Sequence, residues 1–287
     1  ALAEELGVDF ANLVFGAGSV ALLNELAVAL GGPGTNLVFG WPSFVMYRFT
    51  AIWTGMAAKE VPLDADFRLD LEAMRDAIDE ATTLVFLCNP NNPTGTIRSA
   101  EEVEAFIESV PERVVVAVDE AYHEFVTDPR YRTAIPLALE RPNVIVLRTF
   151  SKIYALAGLR VGYAVGRADT LAELRKAQAP LTVSVPAQAA ARASLGQPGE
   201  LSRRRDDNAA RRHHLVGALS ERGIAFAESH TNFIYFELGD RAETVVEQMT
   251  ARGVLIRAMS GGWVRVTIGD DDENRRFVVA LDSALAG

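Results

Sequence analysis

Short apolar runs bounded by turn residues recur through most of this chain, at Asn36–Phe39, Thr83–Leu87, Val114–Val118, Val144–Leu147 and Val161–Val165. Their brevity and continuous apolarity read as strands buried on both faces. Amphipathic stretches lie between them, at Val20–Leu30, Leu69–Ile78 and Ala100–Glu108. Ser99-Ala-Glu-Glu102 opens the last of these with the spacing of a capping box, in which Ser and Glu satisfy each other's backbone amides. Strand and helix alternating in this way predict an α/β fold: a mostly parallel central sheet flanked by helices.

After Leu195 the pattern changes. Gly196-Gln-Pro-Gly199 reads as a turn, and the charged run Glu200–Glu221 as a solvated helix, its arginines interspersed with Glu200, Asp206 and Asp207. Strands are expected at Asn232–Phe236, Val254–Arg257 and Trp263–Ile268, with helices at Ala242–Ala251 and Asp271–Leu285. At about 150 residues per domain, 287 residues make roughly two. The expected division is a large domain at 1–196 and a smaller α+β domain at 197–287.

Charge and cysteine usage narrow the function classes. A net charge of −10 argues against general nucleic-acid binding and against docking on an anionic membrane. The one cysteine, Cys88, excludes an internal disulfide framework and fits a reducing cytoplasm. No signal peptide is visible, and no apolar run approaches the ~18 residues of a spanning helix. His123, His213, His214 and His230 show no metal-ligand spacing.

Four motifs follow apolar runs. Gly16-Ala-Gly18-Ser-Val-Ala21 has the small residues that let amides at a helix N-terminus approach a phosphate. It matches a dinucleotide fingerprint, but Val38-Phe-Gly-Trp-Pro-Ser43 lacks the acid that would hold a ribose. A phosphate cradle and an ordinary tight turn both remain open. Cys88-Asn-Pro-Asn-Asn-Pro-Thr-Gly95 places polar, proline-fixed residues where α/β proteins bind ligands, or simply makes turns. Asp119, at the end of an apolar run, is an N-cap, a salt-bridge partner or a ligand-binding acid, since burying it alone is costly. The fourth motif holds Lys152, one of three lysines with Lys59 and Lys176, among hydroxyls and small residues, with Arg160 eight positions on as a planar fork for phosphate.

Together these supply what pyridoxal phosphate requires of a protein: an amine, an acid for the ring nitrogen, amide and phenol groups for the ring oxygen, and a phosphate site. At these residues the sequence resembles the fold-type I pyridoxal-phosphate aminotransferases, in the branch holding histidinol-phosphate aminotransferase and the aromatic (phenylalanine) amino acid aminotransferases. Asn89-Pro-Asn-Asn-Pro-Thr-Gly95, Asp119-Glu-Ala-Tyr122, Ser151-Lys152 through Arg160, and Val264-Arg265-Val-Thr-Ile-Gly269 follow the family pattern in order.

The resemblance implies roles for particular residues. Lys152 would bind the cofactor's aldehyde and carry the substrate proton, Asp119 would pair with the pyridine nitrogen, and Asn92 and Tyr122 would bond the ring oxygen. Phe44 matches the aromatic that stacks on the ring. Gly18, Ser19, Thr149, Ser151 and Arg160 would hold the phosphate. Arg265 matches the arginine for the substrate carboxylate. Arg257 lies where the family has an arginine near the substrate side chain, with a surface salt bridge as its other reading.

Trp41-Pro-Ser-Phe44 and Ala179-Pro-Leu-Thr-Val-Ser184 look more like the aromatic relatives. The expectation is ping-pong transamination of an aromatic amino acid with 2-oxoglutarate in a cytoplasmic homodimer. Histidinol phosphate is the alternative substrate. Decarboxylation of a phosphorylated amino acid and a non-catalytic binding role on the same scaffold are further readings. Family members also carry an N-terminal segment that covers the substrate and reaches the partner's phosphate site. That segment is not among these residues; an incomplete N-terminus is the expected reason, and weak dimer contacts with an open, poorly selective site are expected if the protein begins at Ala1.

Overall fold

A computed structural model describes residues 1–286. In chain order the elements are α1 (Leu2–Leu6), β1 (Leu13–Gly16), α2 (Ser19–Leu30), β2 (Asn36–Trp41), α3 (Met46–Thr54), β3 (Ala57–Pro62), α4 (Leu71–Asp76), β4 (Thr82–Cys88), α5 (Ala100–Ser109), β5 (Val115–Asp119) and α6 (Ile135–Glu140). There follow β6 (Val144–Thr149), β7 (Gly162–Val165), α7 (Ala168–Ala177), α8 (Val185–Leu195), α9 (Pro198–Glu221), β8 (Phe233–Glu237), α10 (Ala242–Ala251), β9 (Arg257–Ala258), β10 (Trp263–Thr267) and α11 (Asp271–Ala286).

Seven strands form one sheet in the order β1-β7-β6-β5-β4-β2-β3. Six share one direction, and β7 alone runs antiparallel, between β6 and β1. Alternate residues along the central strands enter two apolar layers. Val85, Leu87, Val116, Val118 and Val146 pack with Met74, Phe106, Ile107 and Ile135 on one face. Leu84, Phe86, Ala117, Ile145 and Leu147 pack with Leu22, Leu26, Tyr47 and Leu171 on the other. Burial on both faces is why these strands read as unbroken apolar runs. The capping box at Ser99 and Glu102 is formed as expected.

The chain after α9 builds a three-stranded antiparallel sheet, β8-β10-β9, with its own core. Leu215 and Leu219 from α9, Val245 and Met249 from α10, and Phe277 and Leu281 from α11 cover one face of it.

Two sequence expectations are corrected, and two elements were not expected. The turn at 196–199 ends sooner, because Pro198 and Gly199 already belong to α9; proline fits a first helical turn, whose amides lack partners anyway. The strand expected at Val254–Arg257 is only the pair Arg257–Ala258, bonded to β10 along that short stretch. Helix α3 and strand β3 carried no clear periodicity, since Phe49, Ile52 and Trp53 of α3 and most of β3 face outward. No helix among the described residues is long and apolar enough to cross a membrane.

Candidate active site

The motifs converge because of strand order. The register pairs Cys88 with Asp119 and Asp119 with Leu147, so the segments leaving β4, β5 and β6 emerge side by side at the carboxyl edge. The glycine turn after β1 is brought to the same edge through β7, whose Gly162 pairs with Gly16 on one side and Thr149 on the other. This is the edge where open α/β sheets bind ligands.

Asp119 is buried, and two donors hold its carboxylate: the Tyr47 hydroxyl at 2.9 Å from Oδ2 and the Ala121 amide at 3.2 Å from Oδ1. Burial raises the pKa of this acid, while the Tyr47 hydrogen bond, the Ala121 amide and the Lys152 charge oppose that rise. Beside it the buried Cys88 thiol is pushed up to about 12, chiefly by desolvation, and stays neutral. Lys152 is half-buried, with Nζ 5.0 Å from the centre of the Tyr122 ring. Tyr122 in turn meets Phe233 of β8 edge-on at 5.1 Å.

Arg265 reaches across from the small sheet. It donates to Asn92 Oδ1, and its guanidinium carbon lies 4.9 Å from the Phe233 ring centre. Its buried Nε has no hydrogen-bond partner. Desolvation lowers the Arg265 pKa, the nearby Tyr122 opposes this, and Arg257 adds to it. A half-buried guanidinium with an idle donor suits an incoming carboxylate, which would accept from two nitrogens at once. Arg257 is exposed on β9, directly across from Arg265, and forms no ion pair among the described residues.

The phosphate-site candidates close around the start of α2. Gly18 caps this helix with φ of 83° and gives its own amide to Gly16 O at 2.8 Å, while no side chain caps the helix, so the N–H groups of Ser19 and Val20 are free for an anion. Arg160 lies over the turn, donating to Ala17 O and Ala157 O and lying 3.4 Å from Ser151 Oγ. A Cβ at Gly18 would sit 2.1 Å from Arg160 Nη2, and one at Gly162 would sit 2.3 Å from the Ser19 nitrogen. Small residues are therefore required where backbone and guanidinium crowd together. A phosphate fits this cradle: it has a helix N-terminus, a hydroxyl and an arginine. Thr149 stands apart, because its hydroxyl donates to Val161 O and accepts from the Ser151 amide, which ties the loop. Phe44, half-buried in the loop between β2 and α3, meets Tyr47 edge-on at 5.7 Å.

Sequence reasoning missed two features here. Tyr47 is one, although its spacing of three from Phe44 is that of neighbours on one helical turn. The other is a buried pair beneath the site, Glu120 with Arg148 at 2.8 Å. Glu120 also accepts from the Ala134 amide and the Thr133 hydroxyl, so its charge is fully partnered. Of two adjacent acids, Glu120 thus braces the scaffold and Asp119 faces the site. Asn91 is likewise structural, bonded to Ser43, Pro42 O and Thr94, and leaves Asn92 to meet Arg265. Among the described residues no group of His, Cys, Asp or Glu is arranged to hold a metal ion.

The architecture is that of the fold-type I transferases: a mostly parallel seven-stranded sheet with helices on both faces and the site at its carboxyl edge. The family model for aminotransferase class I and II matches residues 1–281, and the chain belongs to that family. It is 44% identical over 286 residues to the aromatic amino acid aminotransferase of Rhodococcus opacus, spanning 100% of this chain and 79% of that protein. Identity to the aromatic amino acid aminotransferase of Streptomyces avermitilis is 42% over 277 residues, 96% of this chain and 77% of the relative. Histidinol-phosphate aminotransferase from Sinorhizobium meliloti, solved in complex with pyridoxal-5'-phosphate, superimposes with a TM-score of 0.94 at 30% identity, covering 99% of this chain and 80% of that one.

Proposed function

We propose that this aminotransferase uses pyridoxal phosphate to transfer the amino group of an aromatic amino acid to 2-oxoglutarate in a ping-pong cycle. The observation that carries the reading is the convergence of Lys152, the buried Asp119 and the Asn92-bound Arg265 at one sheet edge. The aromatic preference rests on the relatives, which are named for such substrates.

Pyridoxal phosphate, when bound, supplies an electrophilic aldehyde and an electron-accepting pyridinium ring. Lys152 is the amine that would hold that aldehyde, and its free amine would move the proton of the substrate α-carbon as a general base and acid. Asp119 keeps a proton at the ring nitrogen; an ionised carboxylate in a low-dielectric site stabilises that cation strongly. Tyr122 and Asn92 orient the ring oxygen, and Phe44 covers the ring face. The Ser19 amide with Ser151 and Arg160 would anchor the phosphate, Gly18 shapes the turn that lets it approach, and Thr149 orders the loop that carries Ser151. Arg265 binds the substrate carboxylate and Asn92 aligns its fork. We assign residues 1–196 to the large domain and 197–287 to the small one, and take the working form to be a cytoplasmic homodimer.

A second reading, histidinol phosphate as substrate, draws on Arg257. That substrate has a phosphate in place of the carboxylate, and Arg257 sets a second cation across from Arg265. Titrating the purified holoenzyme with phenylalanine, tyrosine and histidinol phosphate while following the cofactor's visible absorbance tests both. Fast spectral change with the aromatic amino acids supports the main reading, and a large preference for histidinol phosphate refutes it. Lys152→Ala should abolish both the absorbance change and turnover.

A further inference from the structure

We infer that Tyr47 is a positioning residue for Asp119: its hydroxyl fixes the carboxylate that faces the pyridine nitrogen. The inference rests on the role given to Asp119 above. Tyr47 is fully buried, and three aromatic rings clamp its own ring. Phe86 of β4 stacks on it at 4.6 Å, Phe39 of β2 meets it edge-on at 5.6 Å, and Phe44 does so at 5.7 Å. Rotation is blocked on all these sides, so the hydroxyl has one fixed aim, and a buried phenol must find a partner. It finds Asp119 Oδ2 at 2.9 Å.

The groups facing Asp119 narrow the assignment. Tyr47 comes from α3, the neutral Cys88 thiol from β4, Lys152 from the loop after β6, and Glu120 from its own chain neighbour. Lys152 is the cation among these, and the cofactor's aldehyde engages it. Glu120 is committed to Arg148. Tyr47 is therefore the side-chain donor that remains on the carboxylate through the reaction. It is also tied to Phe44 by the turn that leads into α3, where the Phe44 carbonyl accepts from the Tyr47 amide at 3.0 Å. One turn thus delivers both the ring-stacking aromatic and the group that sets the acid beneath it.

Tyr47→Phe removes the hydroxyl and keeps the ring. The test measures pyridoxal phosphate affinity by fluorescence titration of stripped protein, and the pH profile of kcat, in Tyr47→Phe, Asp119→Asn and the double variant. Losing a hydrogen bond to the ionised form makes a carboxylate easier to protonate. The acid limb of kcat should therefore move up by about one pH unit, and cofactor affinity should fall about tenfold. In the Asp119→Asn background the same substitution should change affinity less than twofold, because the partner is gone. A residue that only packs the core would lower the melting temperature, leave the acid limb in place and act equally in both backgrounds; that result overturns the assignment. A wild-type protein that takes up no pyridoxal phosphate overturns both this inference and the proposed function, whereas normal uptake with an unmoved acid limb overturns this inference alone.

Discussion

Gly162→Ala probes the link between fold and cofactor site through a single methyl group. Gly162 sits on β7 between β1 and β6, and its φ lies outside the left-handed region, so alanine meets no backbone strain there. The obstacle is steric: the new Cβ would lie 2.3 Å from the Ser19 nitrogen, 2.5 Å from the Gly18 carbonyl carbon and 3.0 Å from Ser19 Cα. All three are backbone atoms of the first turn of α2, so no side chain can swing away. Restoring ordinary contact requires that turn to retreat by about 1 Å. Overpacking of this kind costs about 1–3 kcal/mol, a drop of a few degrees in melting temperature for a chain of this size. The same retreat carries the Ser19 amide from ~2.9 Å to ~3.9 Å from a bound phosphate, beyond hydrogen-bond range. One charge-assisted bond at about 1.5–3 kcal/mol is then lost, which weakens pyridoxal phosphate binding roughly 10- to 100-fold. Fluorescence titration of stripped protein reads the affinity, and a thermal melt without cofactor reads the stability. An alanine variant that binds within threefold of wild type and melts at the same temperature would show that this turn does not form the phosphate cradle.

Two further outcomes follow from the geometry. Arg265→Lys replaces a planar fork by a point charge, so one of two bonds to the substrate carboxylate is lost, and kcat/KM for the amino acid should fall roughly 10- to 100-fold. Single-turnover rates against amino acid concentration would check this; an unchanged value removes Arg265 from the carboxylate site. Glu124 is partly buried, its Oε2 is sealed without a partner, and desolvation raises its pKa to about 7. A raised folded pKa means the stability it supports is present below its unfolded value of 4.5 and is lost as pH rises through about 7. Glu124→Gln should therefore gain on wild type by about 1–3 kcal/mol between pH 5 and pH 8. Denaturant unfolding at both values checks the sign; an equal difference at the two pH values contradicts it. Neighbouring His123, lowered to about 4 by burial, acts oppositely, losing stability as pH falls below about 6.5, and cancels in the comparison.

Much of the site was legible because chemistry-bearing residues follow apolar runs at the ends of strands. Asp119 at the end of β5 and Lys152 after β6 need no tertiary knowledge to be singled out: an acid and an amine beside buried strands are expensive unless used. Tyr47 was not legible, since α3 turns several apolar residues outward and has no clean helical stripe. Asp119 and Glu120 were adjacent acids until Arg148 and Tyr47 divided their roles.

The sequence by itself determined the strand–helix alternation, the doubly covered sheet and the residues able to serve a pyridoxal-type cofactor, because periodicity, burial cost and side-chain chemistry are local properties. Tertiary structure alone decided which of those residues meet. The order β1-β7-β6-β5-β4-β2-β3 sets Gly18 beside Arg160 and Cys88 beside Asp119. Packing of the small sheet against the large one brings Arg265 to Asn92, 173 positions away. Distances of that kind are set by strand order and by the closing of two cores, and neither is written in any single stretch of chain.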